Sequence, residues 1–223
     1  MRIASRFNGP PGSANGGVAC GRLAAYVGAP AVEVTLRRPP PLDTDLRVDA
    51  SGGTARLYDG GLLVAEAVPT TLDVDVPEPP SLERAREVEP TYAGLVDHPF
   101  LTCFACGPAR SDGLGLRPGL LGEGRAACTW TPADDDPVMV WAALDCPGGW
   151  ASDLPGRPMV LGRMALQQPG RVTVGQPHVV SAWTVQTAGR KVHTGTALHA
   201  PDGALVAVAR ATWLAVDPAT VGA

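Results

Sequence analysis

The sequence predicts an α+β fold built from two similar units in tandem, each with one central helix and several antiparallel strands. The first observation behind this prediction is an internal repeat, since residues 53–72 and 195–214 are identical at ten of twenty positions without a gap. Each copy has two apolar segments separated by a glycine-containing turn, which is typical of a β-hairpin. The second observation is a short apolar segment before the strands of each half, which indicates a helix.

In the first half, the predicted helix covers residues 18–28, and Asn15-Gly16-Gly17 lie at its N-terminal start. Small and larger apolar residues are mixed along it, as expected for a helix buried in a core, and Gly28 and Pro30 end it. Residues 31–49 then predict two strands, interrupted by three consecutive prolines. The first copy of the hairpin follows.

In the second half, the predicted helix lies within residues 138–152, and strands follow in 158–167, in 178–186 and in the second hairpin. A leading strand is expected before the helix of each half. Between the halves lie a proline-rich spacer and a charged helical turn from Ser81 to Glu89. We therefore divide the chain into an N-terminal unit of residues 1–76, a linker of residues 77–112 and a C-terminal unit of residues 113–223.

The composition excludes several classes of function. With 18 Lys and Arg against 22 Asp and Glu, the chain has a net charge of −4 and no basic block that would bind nucleic acid. No run of about 18 apolar residues could cross a membrane. The N-terminus lacks the apolar centre of a signal peptide, so a cytoplasmic location is expected. In that reducing compartment the five cysteines are expected to be free thiols.

The whole pattern resembles the double-hot-dog acyl-CoA thioesterases, in which each unit wraps a curved antiparallel sheet around a central helix. The resemblance covers most of the chain outside residues 77–97 and is carried by small-residue patterns. These are Asn15-Gly16-Gly17 and Arg38-Pro39 in the first unit, and residues 144–149, 189–191 and 202–213 in the second. It implies a tandem double hot dog with its active site at the seam between the units, near the N-terminal ends of the central helices.

The resemblance also implies hydrolysis of a fatty-acyl or related coenzyme A thioester, with no cofactor or metal beyond the coenzyme A of the substrate. A carboxylate activates water or attacks the thioester in such enzymes, and Asp145 fits this role by position. The better-known enzymes add a Gln and a Thr, where this chain has Ala211 and residues 161–163. Two alternatives stay open: a non-catalytic protein that binds acyl-CoA or a small apolar ligand, and a hydroxyacyl-thioester dehydratase. A further homodimer of double hot dogs is compatible with either.

Asp145 is the candidate general base or nucleophile because it is a lone carboxylate within the apolar stretch WAALDCPGGWAS. Apolar neighbours raise the pKa of a carboxyl group and make it a stronger base. The nearby Gly148 and Gly149 could bring backbone amides close to the thioester oxygen and so complete an oxyanion site. The alternative is that Asp145 caps a turn beginning at Pro147, since Asp before Pro-Gly commonly starts a helix or turn.

The first unit offers a second set of amides. Asn15, Gly16 and Gly17 are predicted to aim the start of a helix at the thioester oxygen or at a phosphate. The alternative is an ordinary Asn cap with a flexible start. If these amides bind substrate, this Gly-Gly pair and the pair at 148–149 face the same seam between the units. Only the second half then contributes a carboxylate, Asp145.

Four further side chains are candidates for substrate binding. Arg190 and Lys191 follow a strand and could contact the phosphates of coenzyme A, although a solvated turn is the alternative. Arg163, inside an apolar strand, is either an internal ion-pair partner or a phosphate contact. His178 could face the seam.

The pair Cys103 and Cys106 supplies only two of the four ligands of a structural zinc site. His98 and either Cys128 or Cys146 could complete the set, but the sequence has no second close pair. A redox CxxC is expected at a strand-to-helix turn rather than in a linker. Packing or turn formation is therefore the favoured interpretation, and no metal site is predicted.

Overall fold

The computed structural model describes residues 1–122, 124–152, 154 and 156–217. Within these residues there are three α-helices and ten strands. The helices are α1 (Gly16–Ala24), α2 (Leu82–Val88) and α3 (Pro137–Trp150). The strands are β1 (Ala31–Leu36), β2 (Arg47–Ser51), β3 (Thr54–Asp59), β4 (Leu62–Pro69), β5 (Gly119–Gly122), β6 (Arg125–Trp130), β7 (Met159–Gln167), β8 (His178–Ala188), β9 (Lys191–His199) and β10 (Leu205–Ala215).

All ten strands belong to one sheet with the order β2-β3-β4-β1-β7-β10-β9-β8-β6-β5. In its middle β1 and β7 pair antiparallel, with Ala31 opposite Gln167 and Thr35 opposite Arg163. Outward from this pair the order β1-β4-β3-β2 is matched by β7-β10-β9-β8, and the second half adds β6 and β5. The sequence repeat corresponds to the β3–β4 and β9–β10 hairpins, as predicted.

The two central helices lie side by side and pack on the strands of their own halves. Helix α1 contacts β1 and β4, helix α3 contacts β8, β9 and β10, and the helices contact each other. Every residue from 140 to 150 of α3 is buried. A helix that is apolar on all sides is stable only inside a core, so α3 forms the centre of the second half. None of the described helices is long and apolar enough to span a membrane.

Helices α1 and α3 approach each other closely because α1 has glycines at the contact. A Cβ atom on Gly17 would lie 2.5 Å from the Trp141 carbonyl oxygen and 2.8 Å from Asp145 Cβ. A Cβ atom on Gly21 would lie 3.0 Å from Trp141 Cβ. Residues four apart share one helix face, so both glycines point at α3. A side chain at Gly17 would therefore push the helices apart.

The N-terminal segment differs from the sequence prediction. No strand precedes α1 in the described residues, where a 3₁₀ helix (Ser5–Phe7) and an isolated bridge between Asn8 and Ala14 occupy that place. Pro10 and Pro11 interrupt this segment and have no N–H group to donate to a strand ladder. The second half instead has two leading strands, β5 and β6.

The predicted linker contains the expected charged helix but packs into the protein. Helix α2 is capped by Ser81, whose side chain accepts a hydrogen bond from the Arg84 N–H group. Beyond it, Tyr92, Cys103 and Cys106 are all buried. This segment therefore contributes to the core.

We expect Gly17→Ala to lower the free energy of unfolding by about 3 kcal/mol, because the new methyl group would overlap backbone atoms of α3. The matched control is Gly61→Ala, where an added Cβ meets nothing within 4 Å. Urea denaturation of both variants measures the effect. A loss for Gly17→Ala no larger than that of the control would show that the helix contact is not tight.

Candidate active site

Asp145 lies in the middle of α3 and not at the start of a helix or turn. Helix α3 begins at Pro137, and its cap is Asp136, whose Oδ1 accepts a hydrogen bond from Val138 N–H at 2.9 Å. The helix then continues through Pro147 without a break. The alternative in which Asp145 caps a turn at Pro147 is therefore wrong.

The Asp145 carboxylate contacts the start of the other central helix. Its Oδ2 accepts hydrogen bonds from Gly17 N–H at 2.9 Å and from Asn15 Nδ2 at 3.0 Å. Asn15 is the N-cap of α1, because its Oδ1 accepts from Val18 N–H at 3.0 Å. One amide side chain thus caps α1 and also holds the acid of α3. The positive end of the α1 dipole favours a carboxylate at this place.

The other oxygen of Asp145 is unpaired. The residue is 2% exposed, and its Oδ1 has no hydrogen-bond partner among the described residues. Burial raises the pKa of Asp145 to about 7, although the hydrogen bond from Gly17 acts in the opposite direction. A buried oxygen without a partner is costly to keep, and such groups occur where a side chain has a chemical role.

Asp145 forms part of the wall of a cavity of about 660 Å³ between the two halves. The wall combines the loop before α1, residues 36–40 at and after the end of β1, Phe100 and Cys103 of the linker segment, Asp145 and Cys146 of α3, and residues of and next to β7 and β10. Leu161 and Trp213 make much of it apolar. A cavity of this size with few polar groups is typical of a small-molecule site.

The start of α1 provides one further polar group at this wall. Gly16 holds the first position of α1, where a backbone N–H has no acceptor within the helix. Gly16 lines the cavity, and a Cβ atom on it would lie 2.7 Å from Leu161 Cδ2. A side chain at this position would therefore clash with Leu161.

Two arginines after β1 also belong to the cavity wall. Arg37 forms an ion pair with Glu66, and its Nε lies 2.9 Å from Glu66 Oε1. Arg38 is exposed, and no ion pair of its side chain occurs within the described part of the chain. Arg38 belonged to the sequence resemblance but was not predicted as a binding residue.

Gly148 and Gly149 lie in the last turn of α3, so the expectation that their backbone amides bind the thioester oxygen is wrong. Amides inside a helix are bonded to carbonyls four residues earlier and do not bind an external oxygen. A Cβ atom on Gly148 would lie 2.7 Å from Thr194 Oγ1, and one on Gly149 would lie 2.8 Å from Leu154 Cδ1. These glycines let neighbouring residues pack tightly on α3, and the Gly-Gly pairs do not face one seam.

The other predicted substrate contacts do not line the Asp145 cavity. Arg190 and Lys191 are exposed at the turn between β8 and β9, which matches the solvated-turn alternative. Arg163 pairs with Glu33 at 3.5 Å on an exposed part of the sheet, so the ion-pair interpretation holds although the pair is not internal. His178 is fully buried and bonded to the backbone of the loop before β8, so it does not face the seam.

Three of the five cysteines meet beside Asp145. The Sγ atoms of Cys103, Cys106 and Cys146 lie within 4.8 Å of one another, and all three residues are buried. The thiols of Cys106 and Cys146, together with two backbone N–H groups, donate to Cys103 and lower the pKa of Cys103 well below its ordinary value; burial opposes this effect. The sequence left open whether Cys128 or Cys146 joins the CxxC pair, and in the structure Cys146 is the one that lies beside it.

No protein-family model and no curated protein matches this sequence. Solved structures match over most of its length. A conserved protein of unknown function with a hot dog fold from Alicyclobacillus acidocaldarius is 11% identical, with a TM-score of 0.62 over 93% of this chain and 89% of its own. The chain is a double hot dog. The predicted fold class is thereby confirmed.

Two further structures match this double hot dog. The tesB protein of Mycobacterium avium subspecies paratuberculosis is 13% identical, with a TM-score of 0.60 over 97% of this chain and 91% of its own. An acyl-CoA thioesterase II from Mycobacterium marinum is 11% identical, with a TM-score of 0.52 over 83% and 79%. In the present chain the hydrogen bonds of Asp145 cross the seam between its two hot dogs.

We expect Asn15→Ala to lower the free energy of unfolding by about 3 kcal/mol, because it removes both the cap of α1 and a hydrogen bond to a buried carboxylate. The control is Ser81→Ala, which removes only the cap of α2 and should cost about 1 kcal/mol. Chemical denaturation compares the two. Equal losses would show that Asn15 acts as an ordinary cap.

Proposed function

We propose that this protein hydrolyses an acyl thioester, a fatty-acyl or related coenzyme A ester, in the cavity at the seam. The observation that carries the proposal is Asp145, which lines the cavity and has one carboxylate oxygen bonded to α1 and the other without a partner among the described residues. The names of two structures with the same fold, a tesB protein and an acyl-CoA thioesterase II, support this class of reaction.

In the proposed reaction, Asp145 Oδ1 binds a water molecule and accepts its proton as the water oxygen attacks the thioester carbonyl carbon. The resulting tetrahedral intermediate then breaks its carbon–sulfur bond. Asp145 returns the proton to the leaving sulfur, so the products are a carboxylic acid and a thiol. The hydrogen bonds from Asn15 and Gly17 to Oδ2 hold the carboxylate in one orientation throughout.

Gly16 N–H is the candidate donor to the oxyanion of the intermediate. It is the first amide of α1 and lies in the same cavity wall as Asp145. The positive end of the helix dipole adds to its effect on a developing negative charge. Of the four glycine amides predicted as donors, this assignment keeps only that of Gly16, because Gly17 N–H donates to Asp145 and Gly148 and Gly149 lie inside α3.

Different parts of the wall suit the acyl chain and the coenzyme A part of a thioester. Leu161 and Trp213 offer an apolar surface for the acyl chain, and Arg38 offers a guanidinium group for the phosphates of coenzyme A. A dehydratase would need a histidine next to the acid. None of the four histidines, all of which lie in the described residues, belongs to this wall. Hydrolysis therefore fits the site better than dehydration.

We expect Asp145→Asn to reduce the rate of thiol release by about 100-fold or more, because the base is lost. The fold should persist, since the amide oxygen of Asn can accept both hydrogen bonds now made to Oδ2. A panel of acyl-CoA esters with detection of free thiol measures the rate. The control is Asp59→Asn, an exposed carboxylate at the end of β3, which should leave turnover unchanged.

Turnover that survives in Asp145→Asn would exclude Asp145 as the base. Measurable binding of acyl-CoA without thiol release from any ester would favour the non-catalytic alternative. That alternative is consistent with the absence of the expected Gln and Thr, since Ala211 and residues 161–163 stand at their positions.

Coenzyme A recognition is tested separately. We expect Arg38→Ala to raise KM for acyl-CoA by about tenfold without changing kcat, because a charged hydrogen bond to phosphate is lost equally in ground state and transition state. Arg190→Ala is the control, since Arg190 lies outside the cavity wall. Steady-state kinetics distinguish the two. A rise in KM for Arg190→Ala alone would restore the original prediction for the β8–β9 turn.

A further inference from the structure

The cluster of Cys103, Cys106 and Cys146 has no part in the proposed hydrolysis, yet Cys103 and Cys146 line the same cavity as Asp145. Cys103 and Cys106 come from the linker segment, and Cys146 comes from α3. Their three sulfurs lie within 4.8 Å of one another, and the residues are between 3% and 8% exposed. His98 lies at the side of this group, with its Nε2 3.4 Å from Cys106 Sγ.

Two contacts of this group are close to the edges of a zinc coordination tetrahedron, and the other sulfur pairs lie within 4.8 Å. Zinc binds thiolate sulfur at about 2.3 Å and imidazole nitrogen at about 2.0–2.1 Å, so tetrahedral geometry sets edges of about 3.8 Å between two sulfurs and about 3.6 Å between sulfur and nitrogen. The observed Cys103–Cys146 distance is 3.6 Å, and the observed Cys106–His98 distance is 3.4 Å. A disulfide would need its sulfurs at about 2.05 Å.

The loop that carries the CxxC pair is shaped as a tight turn. Gly107 N–H donates to the Cys103 carbonyl oxygen at 2.8 Å. A Cβ atom on Gly107 would lie 2.5 Å from Cys103 N, so only glycine fits at this position. The turn holds Cys103 and Cys106 close together, as two ligands of one metal ion must be.

Two side chains add donors from outside the loop. Trp150 Nε1 lies 3.5 Å from Cys106 Sγ, and Asn15 Nδ2 lies 3.8 Å from the sulfurs of both Cys103 and Cys146. Every sulfur of the cluster thus has an N–H donor directed at it. These donors lie where they would bond to metal-bound sulfur.

We propose that Cys103, Cys106, Cys146 and His98 bind one Zn²⁺ ion, which ties the linker segment to α3 one residue after Asp145. Three thiolates and one imidazole form a standard donor set for structural zinc, and soft sulfur ligands in tetrahedral geometry select this metal over magnesium or calcium. The ion is structural, because all four positions are filled by protein. It fixes the part of α3 that carries the acid.

His98 must change its hydrogen bonding to act as a ligand. Its Nδ1 accepts from Phe100 N–H at 2.9 Å, which puts the ring hydrogen on Nε2, facing Cys106. Coordination through Nε2 moves that hydrogen to Nδ1 and gives up the bond to Phe100. One neutral hydrogen bond contributes far less than a structural zinc site, so the exchange favours coordination.

The test is metal analysis of the full chain after purification and after reconstitution with Zn²⁺ under reducing conditions. We expect one zinc per chain, and loss of this zinc in Cys103→Ala, Cys106→Ala and Cys146→Ala. The matched control is Cys128→Ala, which removes an equally buried thiol of β6 outside the cluster and should keep the zinc. A chelator should lower the melting temperature of the unaltered chain and of this control.

Cobalt reports on the ligands even where a cysteine variant fails to fold. Co²⁺ bound to the unaltered chain should show thiolate charge-transfer bands and the strong visible bands of a tetrahedral site, and His98→Gln should shift the visible bands. No cobalt binding, or a disulfide within the cluster in reduced protein, would overturn the proposal. Visible bands unchanged in His98→Gln would remove His98 from the ligand set. None of these readouts uses a substrate, so they remain valid if thioester hydrolysis is not found.

Discussion

The hydrogen bond from Gly17 N–H to the Asp145 carboxylate is the contact on which the relation of the two hot dogs depends. A buried carboxylate is tolerated only when donors are directed at it, and here the donors come from the start of α1. They reach it because Gly17 has no side chain and the α1 backbone can lie against Trp141 and Asp145. The same approach places the start of one central helix beside the middle of the other. The pairing of β1 with β7 then continues one sheet across both units.

Local sequence information was sufficient for the elements whose structure depends on near neighbours. The two hairpins follow from apolar segments around glycine turns, and α1 follows from Asn15 and the apolar run behind it. Helix α3 was located correctly, but the alternative of a turn starting at Pro147 was wrong. Pro147 and the two glycines after it are typical of a helix start, and a proline inside a helix costs about 3 kcal/mol. In α3, burial of every residue from 140 to 150 offsets that cost, so tertiary packing overrides the local signal.

The composition of the site could not be derived in the same way, because its parts are distant in the chain. Asn15 and Asp145 are 130 residues apart, and Cys103 and Cys146 are 43 apart. Spacing in one sequence does not indicate which of Cys128 and Cys146 joins the CxxC pair, since both are cysteines in apolar surroundings. Arg190 and Arg38 likewise both follow strands, and only the folded chain shows which one lies at the cavity. Asp145 was found because a lone acid among apolar residues is unusual wherever it is placed.

The two central helices contribute different groups to the cavity wall. Helix α1 has 9 residues and begins at the seam, so it presents backbone amides and the Asn15 cap. Helix α3 has 14 residues and begins away from the seam, so it presents side chains from its middle, Asp145 and Cys146. The site needs both kinds of group, and neither helix supplies both. Asn15 joins them, because its amide nitrogen lies within reach of Asp145 and of two of the cluster sulfurs. The acid and two sulfurs of the cysteine cluster therefore share one amide donor.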